Sequence, residues 1–89
     1  MNYTINNINF DYVTEEGIMG QLYMPNNYAV IVFRNNIENN YSICFMKRLN
    51  QEAWSTNLDD KLLTISEVSE IKDLTEDQVV NYLNQVANL

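Results

Sequence analysis

Histidine is absent from this chain, and with it go the commonest general base, the commonest zinc ligand and every Ser-His or Cys-His nucleophile pair. Cysteine occurs once, at Cys44, so no internal disulfide forms, and a lone thiol suits a reducing cytoplasm. Its place in an apolar, β-branched stretch reads as a small buried hydrophobe rather than a reactive group. The two glycines, Gly17 and Gly20, are followed by no Lys-Ser or Lys-Thr, which excludes a phosphate-cradling loop. With a single proline the chain is no linker. No apolar run approaches the roughly 20 residues of a membrane-spanning helix. The opening Met1 to Asn7 has neither the basic nor the apolar region of a secretion signal, so no membrane partner is expected.

Lysine is also scarce. AT-rich codons favour Asn, Ile, Tyr and Lys together, yet the chain has fifteen Asn, eight Ile and six Tyr with only three Lys. Codon drift does not produce that imbalance, whereas selection for a negative surface does. Twelve Asp and Glu face five Lys and Arg, for a net charge of −7. Such a field repels nucleic acid and anionic lipid and attracts basic proteins. The basic residues Arg34, Lys47, Arg48, Lys61 and Lys72 are scattered, so no direct nucleic-acid groove is expected.

With 46% hydrophobic residues the 89-residue chain is globular rather than disordered. It is expected to form a single domain over residues 1–89 with one modest core.

The first half reads as strands. Ile8 to Val13 alternates, and Thr14-Glu15-Glu16-Gly17 predicts a turn in which Gly17 supplies a positive φ. Ile18 to Met24 continues in extended fashion until Pro25-Asn26-Asn27 breaks it. Tyr28 to Arg34 is apolar on both faces, which predicts a central strand covered on both sides, or on one side plus an edge contact. Asn35 to Asn40 reads as a loop, and Tyr41 to Arg48 as the hairpin partner. In the irregular stretch Leu49 to Asp60, Trp54 is expected to plug the edge of the core. Leu62 to Ile65 offers a further short strand, and Ser66 to Asp73 one helical turn. Thr75-Glu76-Asp77-Gln78 matches a capping box, with acids where the helix dipole favours them. Beyond it Val79, Val80, Tyr82, Leu83, Val86 and Ala87 share one face, leaving Asn81, Asn84, Gln85 and Asn88 outside. The expected fold is α+β: an antiparallel sheet of four or five hairpin-connected strands with one C-terminal amphipathic helix packed on one face.

Carboxylates are the only catalytic material left. Asp59-Asp60 with Glu52 matches no calcium-loop spacing, so no metal, no cofactor and no catalytic residue is assigned, and the chain is not read as an enzyme. What remains is the acidic stretch Asp59, Asp60, Glu67, Glu70, Asp73, Glu76 and Asp77, interrupted by two lysines. It is taken as the first-ranked partner surface, with Asp11, Glu15 and Glu16 of the first hairpin second. The neutral amides of the helix and the tyrosines would serve as adaptable contacts.

In composition the chain is similar to the small acidic inhibitors that phages and mobile elements direct against nucleic-acid enzymes, such as anti-CRISPR, anti-restriction and polymerase-binding proteins. That likeness implies a stoichiometric inhibitor of a basic protein, a nucleic-acid enzyme, with nucleic-acid mimicry as one form of the mechanism. An immunity or antitoxin protein neutralising a nuclease, and a small structural or oligomerising virion protein, are the alternatives. The sequence leaves the oligomeric state open.

Overall fold

The computed structural model describes residues 2–89. The α+β architecture is present, as one antiparallel sheet with a single α-helix on one face. Four long strands follow one another as neighbours: β1 (Asn9–Val13), β2 (Gly17–Tyr23), β3 (Tyr28–Asn35) and β4 (Asn40–Arg48). Two short strands share the outer edge of β4. β5 (Trp54–Ser55) pairs with its end at Lys47 and Arg48, and β6 (Glu70–Leu74) pairs with its beginning, Tyr41 to Cys44. The helix α1 (Glu76–Ala87) then crosses the sheet.

Facing residues define the two sides of the sheet. Leu22, Val30 and Phe45 lie abreast, as do Gly20, Val32 and Ile43. This side packs against Val79, Leu83 and Val86 of α1, and all three are fully buried. Leu62 and Leu74 close the rim of that core. The capping box forms as the sequence predicts: Gln78 N–H donates to Thr75 Oγ1 at 3.2 Å, and Thr75 N–H donates to Gln78 Oε1 at 2.9 Å.

Several local expectations are corrected. Leu62 to Ile65 is not a strand but a 3-10 turn over Leu62–Thr64. Ser66 to Asp73 holds no helical turn; it leads into β6, whose pairing with β4 slips by a bulge between Tyr41 and Ile43. Asp73, with φ 59°, takes the left-handed conformation there. Gly17 has no positive φ. It is glycine because a β-carbon would collide with the Arg34 carbonyl, and at Gly20 one would collide with the backbone of Asn9. The left-handed turn positions fall instead on Asn27 and Asn39, with φ 71° and 57°.

The asparagines supply hydrogen bonds that a short chain otherwise lacks. Asn26 Nδ2 donates to the Val86 carbonyl at the end of α1. Asn84, expected on the outer helix face, accepts from Tyr3 N–H at 2.7 Å and donates to the Tyr3 carbonyl at 3.0 Å. The N-terminal segment is thereby pinned to α1 as if to one rung of a sheet.

The opposite face of the sheet is bare. β3 is central, and the side bearing Ile31 and Phe33 has no helix over it; only the Ala29 and Met46 side chains on this side are buried, and Ile31 and Phe33 are half-buried. Cys44, opposite Ile31, is half-buried on this bare side rather than in the core. Trp54 does not plug the core either. It lies abreast of Arg48 on the bare side, with its ring centroid 5.2 Å from Tyr23 and the Arg48 guanidinium 4.6 Å above it.

Candidate functional site

Strand pairing sorts the carboxylates between the two ends of the sheet. The β1–β2 turn carries Glu15 and Glu16, and the carbonyl of Glu16 accepts from Asn36 N–H at 2.8 Å. That bond seats the first turn beside the β3–β4 turn, which carries Glu38. The junction of β6 and α1, with Asp73, Glu76 and Asp77, reaches the same end because Leu74 pairs with Tyr41. Six carboxylates and two basic side chains, Arg34 and Lys72, therefore share one end, a formal charge of −4. At the other end Glu52, Asp59 and Asp60 are offset by Lys47, Arg48 and Lys61, and the charge is zero.

Amides hold the acidic end in place. Asn35 Oδ1 accepts from the Ile37 and Glu38 N–H groups at 2.9 Å, fixing the turn. Asn40 Nδ2 bridges Glu38 at 3.3 Å and Asp73 at 3.0 Å, so two carboxylates converge on one neutral donor. Tyr41 hydroxyl donates to Glu76 at 3.4 Å. Burial raises the Tyr41 phenol, Arg34 opposes the rise, and Glu76 adds to it. Glu76 and Asp77 also occupy the first turn of α1, at the positive end of its dipole. The positive residues Arg34 and Lys72 partly offset this end, and Lys72 lies 3.7 Å from Glu70.

The first-ranked acidic stretch is thus split. Asp73, Glu76 and Asp77 lie at the acidic end together with Glu15 and Glu16 of the second-ranked patch, which merge with them into one site. Asp59 and Asp60 lie at the far end. Glu67 and Glu70 lie between, along the outer edge of β4, and Asp11 lies on β1 at the opposite edge. Glu38 belongs to the acidic end and was not singled out in the sequence; only strand pairing brings it there.

Asp59 is structural. It accepts from Tyr28 hydroxyl at 2.5 Å, from Leu62 N–H at 2.8 Å, and pairs with Lys47 at 2.8 Å. Burial alone would raise its carboxyl; the hydrogen bonds from Lys47, Tyr28 and Leu62 and the Lys47 charge overcome that and hold it at about 2. The same contact, added to burial, pushes the Tyr28 phenol up to about 12. Asp59 is committed to the fold through these contacts.

The chain matches no family model, no characterised protein and no solved structure. Its chemistry is therefore read from its own groups. Among the described residues no cluster of His, Cys, Asp and Glu has the arrangement of a metal site. No helix among the described residues is long and apolar enough to cross a membrane. The Cys44 thiol is raised by burial and then by Glu70, which makes its thiolate scarce. Two shallow clefts, of roughly 280 and 360 Å³, flank Asn40 and Asp73 on the two sides of the sheet. The arrangement suits recognition of cationic groups by fixed carboxylates.

Proposed function

We propose that this protein is a stoichiometric inhibitor that binds a basic nucleic-acid groove on an enzyme of phage-defence or nucleic-acid metabolism, using the carboxylate-rich end of its sheet. The observation that carries the reading is the meeting of three separate chain segments, the β1–β2 turn, the β3–β4 turn and the β6–α1 junction, at one end with a charge of −4. Acids that served solubility alone would be spread over both ends. The carboxylates occupy the place of backbone phosphates in a groove lined by Lys and Arg, and occupancy excludes the nucleic acid. Charge of this kind speeds encounter and selects the partner, while apolar contacts set the lifetime of the complex. The lone thiol fits an encounter in the cytoplasm.

The test is a pull-down of partners from host lysate at low and high salt, followed by surface plasmon resonance on single reversals. Glu16→Lys, Glu38→Lys and Glu76→Lys should each slow association several-fold at low salt, with the difference shrinking as the Debye length falls to about 8 Å at physiological ionic strength. Glu52→Lys and Asp60→Lys, at the neutral end, should change association little. Equal effects at both ends, or none at either, would refute the assignment.

A further inference from the structure

The bare face of the sheet combines an unusual extent of apolar surface with an almost complete lack of charge at its centre. Tyr12, Met19, Tyr23, Ile31, Phe33 and Trp54 project from it, with Tyr12 58% and Tyr23 55% exposed. Its charged residues are peripheral: Arg48 over Trp54 at the neutral end, Glu70 and Lys72 on the β6 edge, Glu38 and Asp73 at the acidic end, and Asp11 beside Asn9 on β1. Five strand positions abreast and about seven residues along the central strands give a footprint of at most about 19 by 23 Å, roughly 440 Å² before side-chain relief. That is about half of the roughly 800 Å² that each partner contributes to a standard protein interface, which is the range of a reversible contact.

We propose that this face is covered by a second copy of the same chain, in a two-fold dimer whose facing strands run in opposite directions. The polarity of the molecule decides the occupant and its orientation. An axis lying between the sheets and across the strands keeps each residue on its own side of the sheet and exchanges the two ends. The acidic end of each copy then lies over the neutral end of the other, so the two −4 ends are kept apart. Arg48 and Trp54 lie on the β4–β6 side at the neutral end. The same axis brings them over the cleft at the acidic end of the second copy, which is lined by Phe33, Ser42, Glu38, Asp73 and Lys72. A guanidinium stacked on an indole thus meets a cleft holding two carboxylates and one ammonium, twice in the dimer, and Ile31 packs near the axis. Such an interface closes on itself, covers Glu38 and Asp73 and leaves Glu76 on the helix side of the sheet uncovered; it is tested with no partner present, so this inference stands or falls independently of the inhibitor reading.

Sedimentation equilibrium of the purified protein, with no partner present, tests the proposal. The native chain should associate to a dimer and no further. Ile31→Lys should weaken association at least about tenfold while circular dichroism stays native, since its side chain is outside the core. Arg48→Glu should weaken it too, and Glu38→Arg combined with Arg48→Glu should restore association to within a few-fold of the native value. A native chain that stays monomeric overturns the proposal. So does association insensitive to Ile31→Lys, which would place the contact elsewhere. Failure of the paired charge swap to restore association overturns the orientation.

Discussion

Replacing Asp59 by Asn tests whether an acid in a region selected for negative charge is committed instead to the fold. The substitution keeps one oxygen for Leu62 N–H, puts an amide NH2 where the second oxygen accepted from the Tyr28 hydroxyl, and removes the charge that faces Lys47. The carboxyl lies at about 2 in the folded chain against an ordinary 3.8. At 1.36 kcal/mol per pKa unit the difference is about 2.4 kcal/mol as an upper bound. Asp59 is 23% exposed and Lys47 40%, so solvent screens the pair and about 1–2 kcal/mol is the working figure. For a domain of this size that lowers Tm by roughly 4–15 °C. A carboxyl held below its unfolded value stabilises fully above about pH 4, and that contribution drains away as pH falls through about 2. Urea unfolding of native protein and Asp59→Asn at neutral pH and near pH 2 gives the contrast directly. The gap between the two should be present at neutral pH and should close in acid. A gap that is the same at both pH values, or absent at neutral pH, would refute the assignment of Asp59 as an ionised structural anchor.

Three further expectations follow from the packing. Leu83→Ala should cost about 2–5 kcal/mol by leaving a cavity under α1, measured by chemical unfolding, and a parent-like transition would mean the helix is not docked. Asn84→Ala should cost about 1–3 kcal/mol because both backbone groups of Tyr3 lose their partner, whereas Asn81→Ala, exposed on the same helix, should cost almost nothing. In an alkaline absorbance titration Tyr28 should ionise near pH 12, above the ordinary phenol value of 10; its pKa is raised, so the stability it adds is complete below about pH 10 and lost as pH rises through about 12, and Tyr28→Phe should remove that late step.

The long strands and the capped helix were legible because each repeats a strong local signal, alternation in β2 and β4 and a 3.6-residue stripe in α1. β6 was not, and the reason is local. Ile71 and Leu74 face the same side although three residues apart, since the left-handed Asp73 and the bulge beside it absorb the extra residue and erase the period of two. The apolar second side of β3 was read correctly as apolar, yet nothing in a linear pattern says whether chain or solvent lies above it. The acidic end was only half visible. Glu15 and Glu16 lie some sixty residues from Glu76 and Asp77, and their meeting depends on strand order, which pairing at long range decides and local pattern does not. The anchoring role of Asp59 was not visible because an acid held by Lys47 and Tyr28 looks in sequence like any other acid in an acidic stretch.

The tie between Tyr3 and Asn84 has a consequence for the order of assembly. All four long strands precede α1 in the chain and can pair through short turns as they are made. The Tyr3 backbone N–H, however, finds its partner 81 residues later, and the core side of the sheet stays uncovered until α1 exists. During synthesis the growing sheet is therefore apolar and open on both sides, and its N-terminal segment is untethered. Closure is a late and concerted event in which helix docking buries one side and fixes the beginning of the chain in the same step. The interval before it is when the chain is most exposed to pairing with other unfinished chains.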